Sequence, residues 1–576
     1  MCKSPLQSLQ GGPSTNNSIT LSNAEIADRL LSLAQLLTVQ KENPFKVKAY
    51  RRAAKTVRTL SESVDRLVRR DADLTGYEGI GKAIGGAIRE IVLTGTSRQL
   101  QTLRTQVSPE LAAIGEYPRL DPARVLRIYK KLNIGSVEAL KHKLASGEIA
   151  RELGIQMEDH VRQALAETHE MLLNSAGEVA SSVEDFLLTR CPVTRVAITG
   201  DYRRRVEIVS ELSFLVESAT FPAVLSSLRQ YGGKTEILNS TETRARLQLS
   251  SGVLLNIETA EQRKWGVSLI LSTGSGEHLR KLSRAAGPLD PFRTSRARYP
   301  DEAGVYRKLG LSFIEPELRE GNNEIELAAR GELPALITAA DIRGELHAHS
   351  TSSDGAHSIQ RMARAALAKG YEYTGITDHS QSLKIAHGLS EEDLWKQIRY
   401  IDKLNQDSEI KILKSAEVDI LADGSLDYPD HLLKELDYTV CSIHSKFGLG
   451  KIEQTERILR AMDNPHFTIL GHATGRKLLK RPGYEIDIER VAGHAKKNGC
   501  FIEINSSPDR LDLSAANARI ACEAGVKLAI STDAHSTREY DLITYGIDQA
   551  RRAGLTKESV LNARSWPELR KLIKRG

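Results

Sequence analysis

Two histidines one residue apart, His347 and His349, end a short extended run in the C-terminal half of this 576-residue chain. Side chains at positions i and i+2 of a strand point to the same side, so two imidazoles at this spacing can bind one cation. The Ser-Asp-Gly turn that follows places the Asp354 carboxylate where it can bind a neighbouring cation. A His-x-His pair by itself is weak evidence, because it is more often an ordinary surface pair.

Several apolar runs after residue 341 also end in a histidine or a carboxylate. The residues at these ends are Asp378, His379, Glu417, His444, His472, Asp533 and His535. In a barrel of parallel strands alternating with helices, side chains at the C-terminal ends of the strands converge on one face. The common position of these residues therefore predicts a metal centre there. The histidines outside this pattern are interpreted as surface residues: His357, His387, His431, His466 and His494.

The segment 341–576 resembles the PHP (polymerase and histidinol phosphatase) domain family. The resemblance implies a distorted (β/α)7 barrel with a phosphoesterase site that binds two to three divalent ions. It assigns His347, His349, Glu417 and Asp533 to a first ion, Glu417, His444 and His472 to a second, and Asp354, His379 and His535 to a third. Glu417, shared by two ions, would set their separation. Asp378 precedes a ligand and is expected to orient it.

The ligand types indicate which ions and which chemistry to expect. Imidazoles and carboxylates together suit Zn²⁺, Mn²⁺ or Fe²⁺ better than Mg²⁺. Ions that bridge a water activate it as the nucleophile, so no serine or cysteine nucleophile is needed. The catalytic candidates are Glu417, His444 and Asp533, with Arg476 and Arg510 on loops that follow barrel strands. Both arginines are candidates for phosphate contact; the alternative, ordinary loop arginines, stays open.

Composition limits the classes of protein that this chain can belong to. The length indicates several domains, and a hydrophobic content of 40% is enough for ordinary cores. The net charge of +6 is compatible with nucleic-acid contact without requiring it. Five cysteines without a Cys-x-x-Cys pair favour a reducing cytosol. We expect a cytoplasmic protein with no membrane segment, no obligate protein partner and a disordered tail at 1–18.

Residues 19–106 are predicted to form a helical domain that binds DNA. Ser22 and Glu25 form a capping box ahead of apolar residues at helical spacing. The run 41–58 is strongly basic, which a solvated helix face would also explain. In the run 76–88, a Gly-Ile-Gly turn precedes a helix whose N-terminal N–H groups can bind phosphate. The DNA-contact candidates are Lys48, Arg51, Arg52, Gly79, Gly81 and Lys82.

These N-terminal features resemble the helix-hairpin-helix domain of family-X DNA polymerases, which grips the DNA backbone without reading its sequence. Residues 107–175 would then be a fingers-like helical domain. A second hairpin is expected near residue 117. Arg119 and Asp121 stand there in place of glycines that would let the backbone approach phosphate. The second hairpin is therefore expected as a fold element and not as a phosphate clamp.

Residues 176–290 resemble the nucleotidyltransferase-like palm of the same family, but with a degenerate site. Nucleotidyl transfer needs clustered carboxylates that hold two Mg²⁺ ions. The expected aspartates are replaced by Glu211, Ser213 and Asn256, and Asp201 follows Gly200 where a triphosphate-binding serine is expected. Glu207 or Glu258 could supply a carboxylate only in a different register. We expect no Mg²⁺ in the palm and little or no polymerase activity.

Residues 291–340 resemble the thumb and linker of bacterial family-X polymerases, so the resemblance spans about 20–576. The predicted fold is multidomain: all-α helix-hairpin-helix domains, an α+β palm and thumb, and the C-terminal α/β barrel. The predicted function is 3′ to 5′ exonuclease action on DNA in repair, with abasic-site or 3′-phosphate processing as related reactions. The alternatives are a histidinol-phosphate-like phosphatase, a non-catalytic DNA-binding protein and an active polymerase with a variant metal site.

Overall fold

The computed structural model describes residues 21, 23–40, 42–60, 62–77, 79–106, 122–154, 157–158, 161, 170–231, 235–249, 252–294 and 296–573. The chain divides into two compact units. The first comprises Met1–Glu167, Glu178–Val196 and Val216–Thr259, and the second comprises Thr168–Gly177, Ala197–Leu215 and Ala260–Gly576. The tail expected at 1–18, the cap residue Ser22 and the second hairpin with Arg119 and Asp121 lie outside the described residues.

The first unit begins with a helical bundle. The helices there are Asn23–Val39, Pro44–Thr59, Val64–Arg69, Lys82–Thr94 and Arg98–Gln106. Apolar residues at helical spacing, such as Ile26 and Leu30, are fully buried because each helix packs one face on its neighbours. Asn43 caps the second helix by accepting a hydrogen bond from Phe45 N–H. Pro44 begins that helix, where a missing N–H leaves no bond unmade.

The middle of the chain contains further helices and several short strands. Its helices include Pro122–Leu132, Val137–Ala145, Glu148–Leu153, Leu173–Arg190, Gly200–Arg203 and Phe221–Leu228. Its strands are β1 Met171–Leu172, β2 Arg195–Thr199, β3 Ile208–Val209, β4 Glu211–Glu217, β5 Glu236–Ser240, β6 Arg244–Gln248 and β7 Leu254–Thr259. In the first unit, β5, β6 and β7 form an antiparallel meander with Arg246 opposite Asn256. In the second unit, β1 pairs with β3.

Before the barrel, the second unit contains a small helical region. Its helices are Trp265–Thr273, Gly276–Ala286, Asp290–Thr294, Glu302–Lys308 and Glu324–Arg330. Arg319 is fully buried there and donates to Glu302 at 2.5 Å and to the Ile314 carbonyl. Arg203 donates to the same carboxylate at 2.6 Å. Burial of these charges is tolerated because each is paired and hydrogen-bonded.

The rest of the second unit is a seven-stranded parallel barrel. Its strands are β8 Gly344–Glu345, β9 Tyr373–Ile376, β10 Lys411–Asp419, β11 Tyr438–Ser442, β12 Ile469–Leu470, β13 Phe501–Asn505 and β14 Leu528–Ser531, hydrogen-bonded in sequence order. A parallel bridge between Ala348 and Ala534 brings the first and last strands together at their C-terminal ends. The long runs of buried residues in these strands are typical of parallel sheets covered on both faces.

Helices cover the outside of the barrel. They are Ile359–Ala368, Glu391–Leu404, Asp430–Leu433, Lys451–Met462, Ile488–Asn498, Ala515–Glu523 and Ile543–Arg552. The last helix, Trp566–Ile573, instead packs Leu569 and Ile573 against the apolar residues inside the barrel. Several begin at a side-chain cap: Ser358, Ser390, Asp487 and Ser514 each accept a hydrogen bond from the backbone N–H three residues later. These caps fix where each helix starts after its loop, and so fix the length of the loops at the mouth of the barrel.

Candidate metal centre

The barrel strands end above a cluster of buried apolar side chains inside the barrel, the apolar plug, which includes Leu413, Val440 and Ala529. Val440 belongs to one cluster of buried apolar residues and Cys441 to another, so alternate residues of β11 face opposite sides of the strand. Within β10, Glu417 lies on the same side as Leu413 of the first cluster. His444 and Asp533 each follow the last residue of a strand, β11 and β14, by two residues. These side chains therefore converge above the plug, at the C-terminal mouth.

Three groups of ligand atoms lie close together at this mouth. The first contains His347, His349, Glu417 and Asp533, the second His379, Glu417 and His444, and the third His349, Asp354, His379 and His535, with the atoms of each group within 4.8 Å of one another. Glu417 belongs to two groups, and so do His349 and His379. His472 is the remaining predicted ligand, and its Nε2 lies 2.9 Å from Glu417 Oε1. The structure thus brings all the sequence-predicted ligands together.

The first group is identical to its predicted set, whereas the second and third groups differ from theirs. The predicted second set held His472, whereas the structural group around Glu417 and His444 holds His379, whose Nδ1 lies 2.8 Å from Glu417 Oε2. His349 joins the third group as well as the first, since its Nδ1 lies 3.8 Å from Asp354 Oδ1. His349 and His379 each belong to two groups, so either imidazole can bind an ion of one group or of its neighbour.

Two carboxylates that the sequence analysis missed hold the imidazoles in place. Glu503 Oε1 lies 2.6 Å from His347 Nδ1, and Asp419 Oδ1 lies 2.5 Å from His444 Nδ1. A carboxylate at Nδ1 fixes the tautomer and leaves Nε2 as the ligand atom. A third missed carboxylate, Glu345, accepts hydrogen bonds from the His347 and Thr532 backbone N–H groups. All three are acidic residues within buried strands, a signal that could have identified them.

Unsatisfied buried atoms give an independent test of whether cations fit. Within the described residues, His347 Nε2, His379 Nδ1, Glu417 Oε2 and His472 Nδ1 are buried without a hydrogen-bond partner. Buried polar groups nearly always have a partner, so several orphans in one place need an explanation. Two of these atoms, His347 Nε2 and Glu417 Oε2, lie 3.5 Å apart. Divalent transition-metal ions between such atoms would satisfy them, so the donor set fits the expected ions.

The charges around the ligand atoms also favour the binding of cations. Burial alone would lower the pKa of His379, but Glu417 and Asp354 raise it to about 10. Burial likewise opposes ionisation of Glu417, yet the imidazoles of His379 and His444 hold the pKa of this carboxyl well below its usual range. His349, buried and close to His379, has its pKa lowered to about 4. The carboxylates thus create a field that favours positive charge, which bound cations would supply.

Two of the candidate ligands have strained backbone. His472 and Asp533 have φ angles of 24° and 54°, in the left-handed region that residues with a Cβ rarely adopt. Strained backbone of this kind persists where surrounding contacts hold it, and is typical of functional sites. Here the His472 N–H donates to Glu503 at 2.7 Å, and Asp533 Oδ2 lies 3.2 Å from Asn505 Nδ2.

Asp378 orients a ligand, but through a turn rather than through its neighbour His379. Its carboxylate accepts hydrogen bonds from Ser350 N–H at 2.7 Å and from Ser353 Oγ at 2.6 Å. Gln397 donates to it from the helix Glu391–Leu404. Asp378 therefore holds the turn 350–353, which presents Asp354 to the third group.

Comparison with known proteins identifies the family. Residues 345–507 match the model of the PHP domain, and residues 21–97 match that of the helix-hairpin-helix domain. The chain is 33% identical over 573 residues to the DNA polymerase/3′-5′ exonuclease PolX of Bacillus subtilis (strain 168), which covers 96% of this chain and 99% of that protein. The chain belongs to the PolX family.

The barrel by itself also resembles shorter proteins. A probable phosphatase of Thermoanaerobacter sp. (strain X514) is 34% identical over 234 residues, 38% of this chain and 89% of that protein. A probable phosphatase of Syntrophotalea carbinolica is 28% identical over 230 residues, 38% of this chain and 90% of that protein. Membership of the PolX family and the PHP match support a metal-dependent phosphoesterase that binds DNA.

The fold class predicted from the sequence is confirmed. The chain has an N-terminal helix-hairpin-helix domain, a mixed α/β middle and a C-terminal parallel barrel that matches a PHP (β/α)7 barrel. Among the helices that the structure describes, none is long and apolar enough to cross a membrane.

The N-terminal DNA-contact candidates of this PolX homologue lie on two helices and the turn before one of them. Lys48, Arg51 and Arg52 are exposed on Pro44–Thr59, and Lys82 begins Lys82–Thr94. Gly81, the residue before that helix, provides no side-chain cap, so the N–H groups of the first turn point outward. Gly79 has φ of +79°, and a Cβ there would lie 2.8 Å from Arg52 Cγ. A glycine is therefore needed at 79, and it places Arg52 beside the turn.

Two of the predicted polymerase-site residues of this PolX homologue, Asp201 and Ser213, make contacts within the segment 200–213. Asp201 accepts a hydrogen bond from Arg204 at 2.6 Å, and Ser213 packs directly on Gly200, where an added Cβ would lie 3.1 Å from the Ser213 hydroxyl. Asn256 lies on β7 opposite Arg246, and Glu211 begins β4. Glu258, a possible substitute carboxylate, pairs with Arg244 at 3.1 Å.

The two arginines predicted to contact phosphate differ in their surroundings. Arg510 Nε lies 3.5 Å from Asp533 Oδ2, so its guanidinium is next to the first ligand group. Arg476 instead donates to both carboxylate oxygens of Glu207 and to the carbonyls of Arg510 and Leu511. These four hydrogen bonds use most of its five N–H donors, so its contacts are with the protein itself. Arg510 thus lies beside the ligand groups, whereas Arg476 lies against the backbone of the loop that carries Arg510.

Proposed function

We propose that this protein is a metal-dependent 3′ to 5′ exonuclease of DNA whose working site is the barrel mouth. The observation that carries the proposal is Glu417, which belongs to two of the three ligand groups, with Arg510 beside Asp533. Zn²⁺, Mn²⁺ or Fe²⁺ are the ions that this mixture of imidazoles and carboxylates would hold. When bound, such ions lower the pKa of a water and neutralise the charge of a phosphodiester.

The chain's own residues have separate roles in this proposal. Glu417, fully buried between the ligand groups, fixes the distance between their ligand atoms. Asp419 and Glu503 keep His444 and His347 in the tautomer that directs Nε2 to the centre. Arg510 holds a phosphate oxygen through its N–H donors, next to the position where the bond breaks.

DNA rather than a metabolite is the proposed substrate because of the N-terminal half of the chain. Its helix-hairpin-helix match and the exposed residues Lys48, Arg51 and Arg52 would hold a phosphate backbone without reading bases. The relative from B. subtilis carries 3′-5′ exonuclease in its name. A role in DNA repair, including abasic-site or 3′-phosphate processing, is part of the same proposal.

Loss of polymerase activity is a further part of the proposal. Ser213 and Asn256 are neutral where Mg²⁺ would need carboxylates. Asp201 would repel a triphosphate, and its carboxylate already accepts a hydrogen bond from Arg204. The palm would then contribute to DNA positioning rather than to synthesis.

A comparison of two substrates tests the proposed function. The full chain, loaded with Mn²⁺, is given a single-stranded oligonucleotide and, separately, histidinol phosphate. We expect kcat/KM to be higher for DNA by at least about a hundredfold, because the N-terminal half adds binding to DNA alone. Matched assays of His349→Ala control for contaminating nucleases. Rapid hydrolysis of histidinol phosphate with intact DNA would favour the phosphatase function that the shorter relatives' names suggest.

A further inference from the structure

We propose that Glu207, in the palm-like part of the chain, is a positioning residue for hydrolysis: it holds Arg476, which in turn holds the backbone of Arg510. The inference rests on the proposed nuclease function and adds a residue to it. Its evidence is a series of contacts within the second unit. Glu207 lies 269 residues before Arg476 and four residues before Glu211 of the degenerate polymerase motif.

The first contact is a two-bond ion pair. Arg476 donates to Glu207 Oε2 at 3.0 Å and to Oε1 at 2.8 Å. The side chains are 17% and 20% exposed, so the pair is largely shielded from water. Two parallel N–H···O bonds fix the plane of a guanidinium as well as its position. Glu207 therefore determines which way the remaining N–H donors of Arg476 point.

Those donors hold the loop that carries Arg510. Arg476 Nε donates to the Arg510 carbonyl at 2.8 Å, and one of its terminal nitrogens donates to the Leu511 carbonyl. Leu511 has φ of 43°, in the left-handed region that a leucine rarely adopts. Such a conformation persists only where contacts hold it. The arginine binds the carbonyls on either side of the Leu511 N–H, at the strained point of the loop.

The loop in turn places the Arg510 side chain at the metal centre. Arg510 Nε lies 3.5 Å from Asp533 Oδ2, and its side chain is 14% exposed. A shift of the backbone at 510 would move the guanidinium relative to Asp533 without altering any ligand. Misplacement of a catalytic group by about 1 Å can cost up to about a hundredfold in rate.

The segment that carries Glu207 is itself fixed to the barrel. The Arg205 carbonyl accepts from Gln549 at 3.1 Å and the Arg204 carbonyl from Arg552 at 2.6 Å, both on the helix Ile543–Arg552. Glu320 accepts from both Arg204 and Arg552. The segment 204–207 is thus anchored at the outer helix and at the mouth. Residues next to the degenerate polymerase motif would complete the hydrolytic site.

A mutant cycle in the full chain tests this role. Glu207→Gln keeps the size of the side chain but replaces one acceptor oxygen with a donor. We expect its kcat on single-stranded DNA with Mn²⁺ to fall roughly tenfold, with KM within about twofold and unchanged metal content, because no ligand moves. In an Arg510→Ala background the same substitution should have no further effect. Glu258→Gln is the matched control, since Glu258 also pairs with an arginine and is 17% exposed.

Hydrogen exchange gives a readout that does not depend on activity. Arg510 and Leu511 N–H both donate to the Ser507 carbonyl, so exchange across 507–512 should rise in Glu207→Gln and stay at the wild-type level in Glu258→Gln. The proposal is overturned if exchange there is unchanged, or if Glu207→Gln slows the Arg510→Ala variant by the same factor as it slows the wild type. A wild type without nuclease activity would refute the proposed function, and the exchange data would still decide the positioning role.

Discussion

At the scale of single residues, the candidate metal centre depends on side chains that hold the ligand residues in place but supply no ligand atom themselves. Glu503 is fully buried and holds His347 Nδ1 at 2.6 Å, while its other oxygen accepts from the His472 N–H. It therefore positions two of the candidate ligands at once. Partners of this kind typically change metal affinity by about 10- to 100-fold when they are removed.

We expect Glu503→Gln to weaken metal binding by about 10- to 100-fold without unfolding the barrel. The glutamine amide cannot accept from both groups as the carboxylate does. Competition with a chelator of known affinity measures the change. Asp463→Asn is the control, because Asp463 accepts from His494 at 2.8 Å on the barrel's outer helices, away from the ligand groups. Equal affinities for the two variants would contradict the role given to Glu503.

Glu178 is a half-buried acid outside the candidate metal centre. Burial raises its pKa to about 9 from an ordinary value of 4.5, and its Oε2 is buried without a hydrogen-bond partner among the described residues. The folded protein thus keeps a proton that the unfolded chain releases above pH 4.5. Stability must then fall as the pH rises from about 4.5 to 9, because the unfolded state binds fewer protons in this range.

Replacing Glu178 with glutamine should remove this fall in stability with rising pH. We expect the variant to be more stable than the wild type by about 1–3 kcal/mol at pH 8 and equal to it near pH 4. Chemical denaturation across this pH range measures the difference, with Glu236→Gln, an exposed glutamate of the same unit, as the control. Parallel stability curves for wild type and Glu178→Gln would contradict the pKa assigned to Glu178.

How much of the site the sequence could predict depends on where each partner lies along the chain. His347, Glu417 and Asp533 were predictable because the ends of buried apolar runs mark strand ends, and strand ends meet in a barrel. The role of Arg476 could not be predicted from the sequence, because its partner Glu207 lies 269 residues away and nothing local marks the pair. Asp419 and Glu503 do carry a local signal, since each is an acidic residue in a buried strand, but nothing local shows which histidine each of them holds.

At the scale of elements, the helix Pro44–Thr59 and the turn before Lys82–Thr94 would form the DNA-binding surface. The exposed face of the first helix carries Lys48, Arg51 and Arg52, and the stem of Arg52 lies against Gly79 of the turn. The helices themselves were predictable from apolar spacing and from Gly and Pro positions. The packing of Arg52 on the turn was not, because it joins two elements.

Replacing Lys48, Arg51 and Arg52 together with alanine should weaken DNA binding by about 10- to 100-fold at low salt. Each lost phosphate contact also removes roughly one unit from the slope of log affinity against log salt. Fluorescence anisotropy over a salt series measures both quantities. The control is Lys496→Ala with Lys497→Ala, exposed lysines on a barrel helix. An unchanged salt slope in the triple variant would exclude this helix from the DNA-binding surface.

At the scale of the whole molecule, the chain belongs to the PolX family, but Glu211, Ser213 and Asn256 stand where the polymerase resemblance leads us to expect aspartates. Primer extension in a His349→Ala background separates synthesis from degradation. We expect extension to be at least about a thousandfold slower than for an ordinary repair polymerase, because Ser213 and Asn256 cannot replace carboxylates as Mg²⁺ ligands. Template-directed extension at a normal repair rate would show that the palm is active.

The product ladder from a 5′-labelled single strand incubated with the full chain and Mn²⁺ tests most directly whether the barrel is an exonuclease. We predict stepwise shortening from the 3′ end, single-nucleotide spacing, loss of activity on chelation and no shortening by His349→Ala or Asp533→Ala that retain the wild-type fold. An intact strand with metal-loaded wild-type protein, or the same ladder from both variants, would contradict the assignment of exonuclease activity to the barrel.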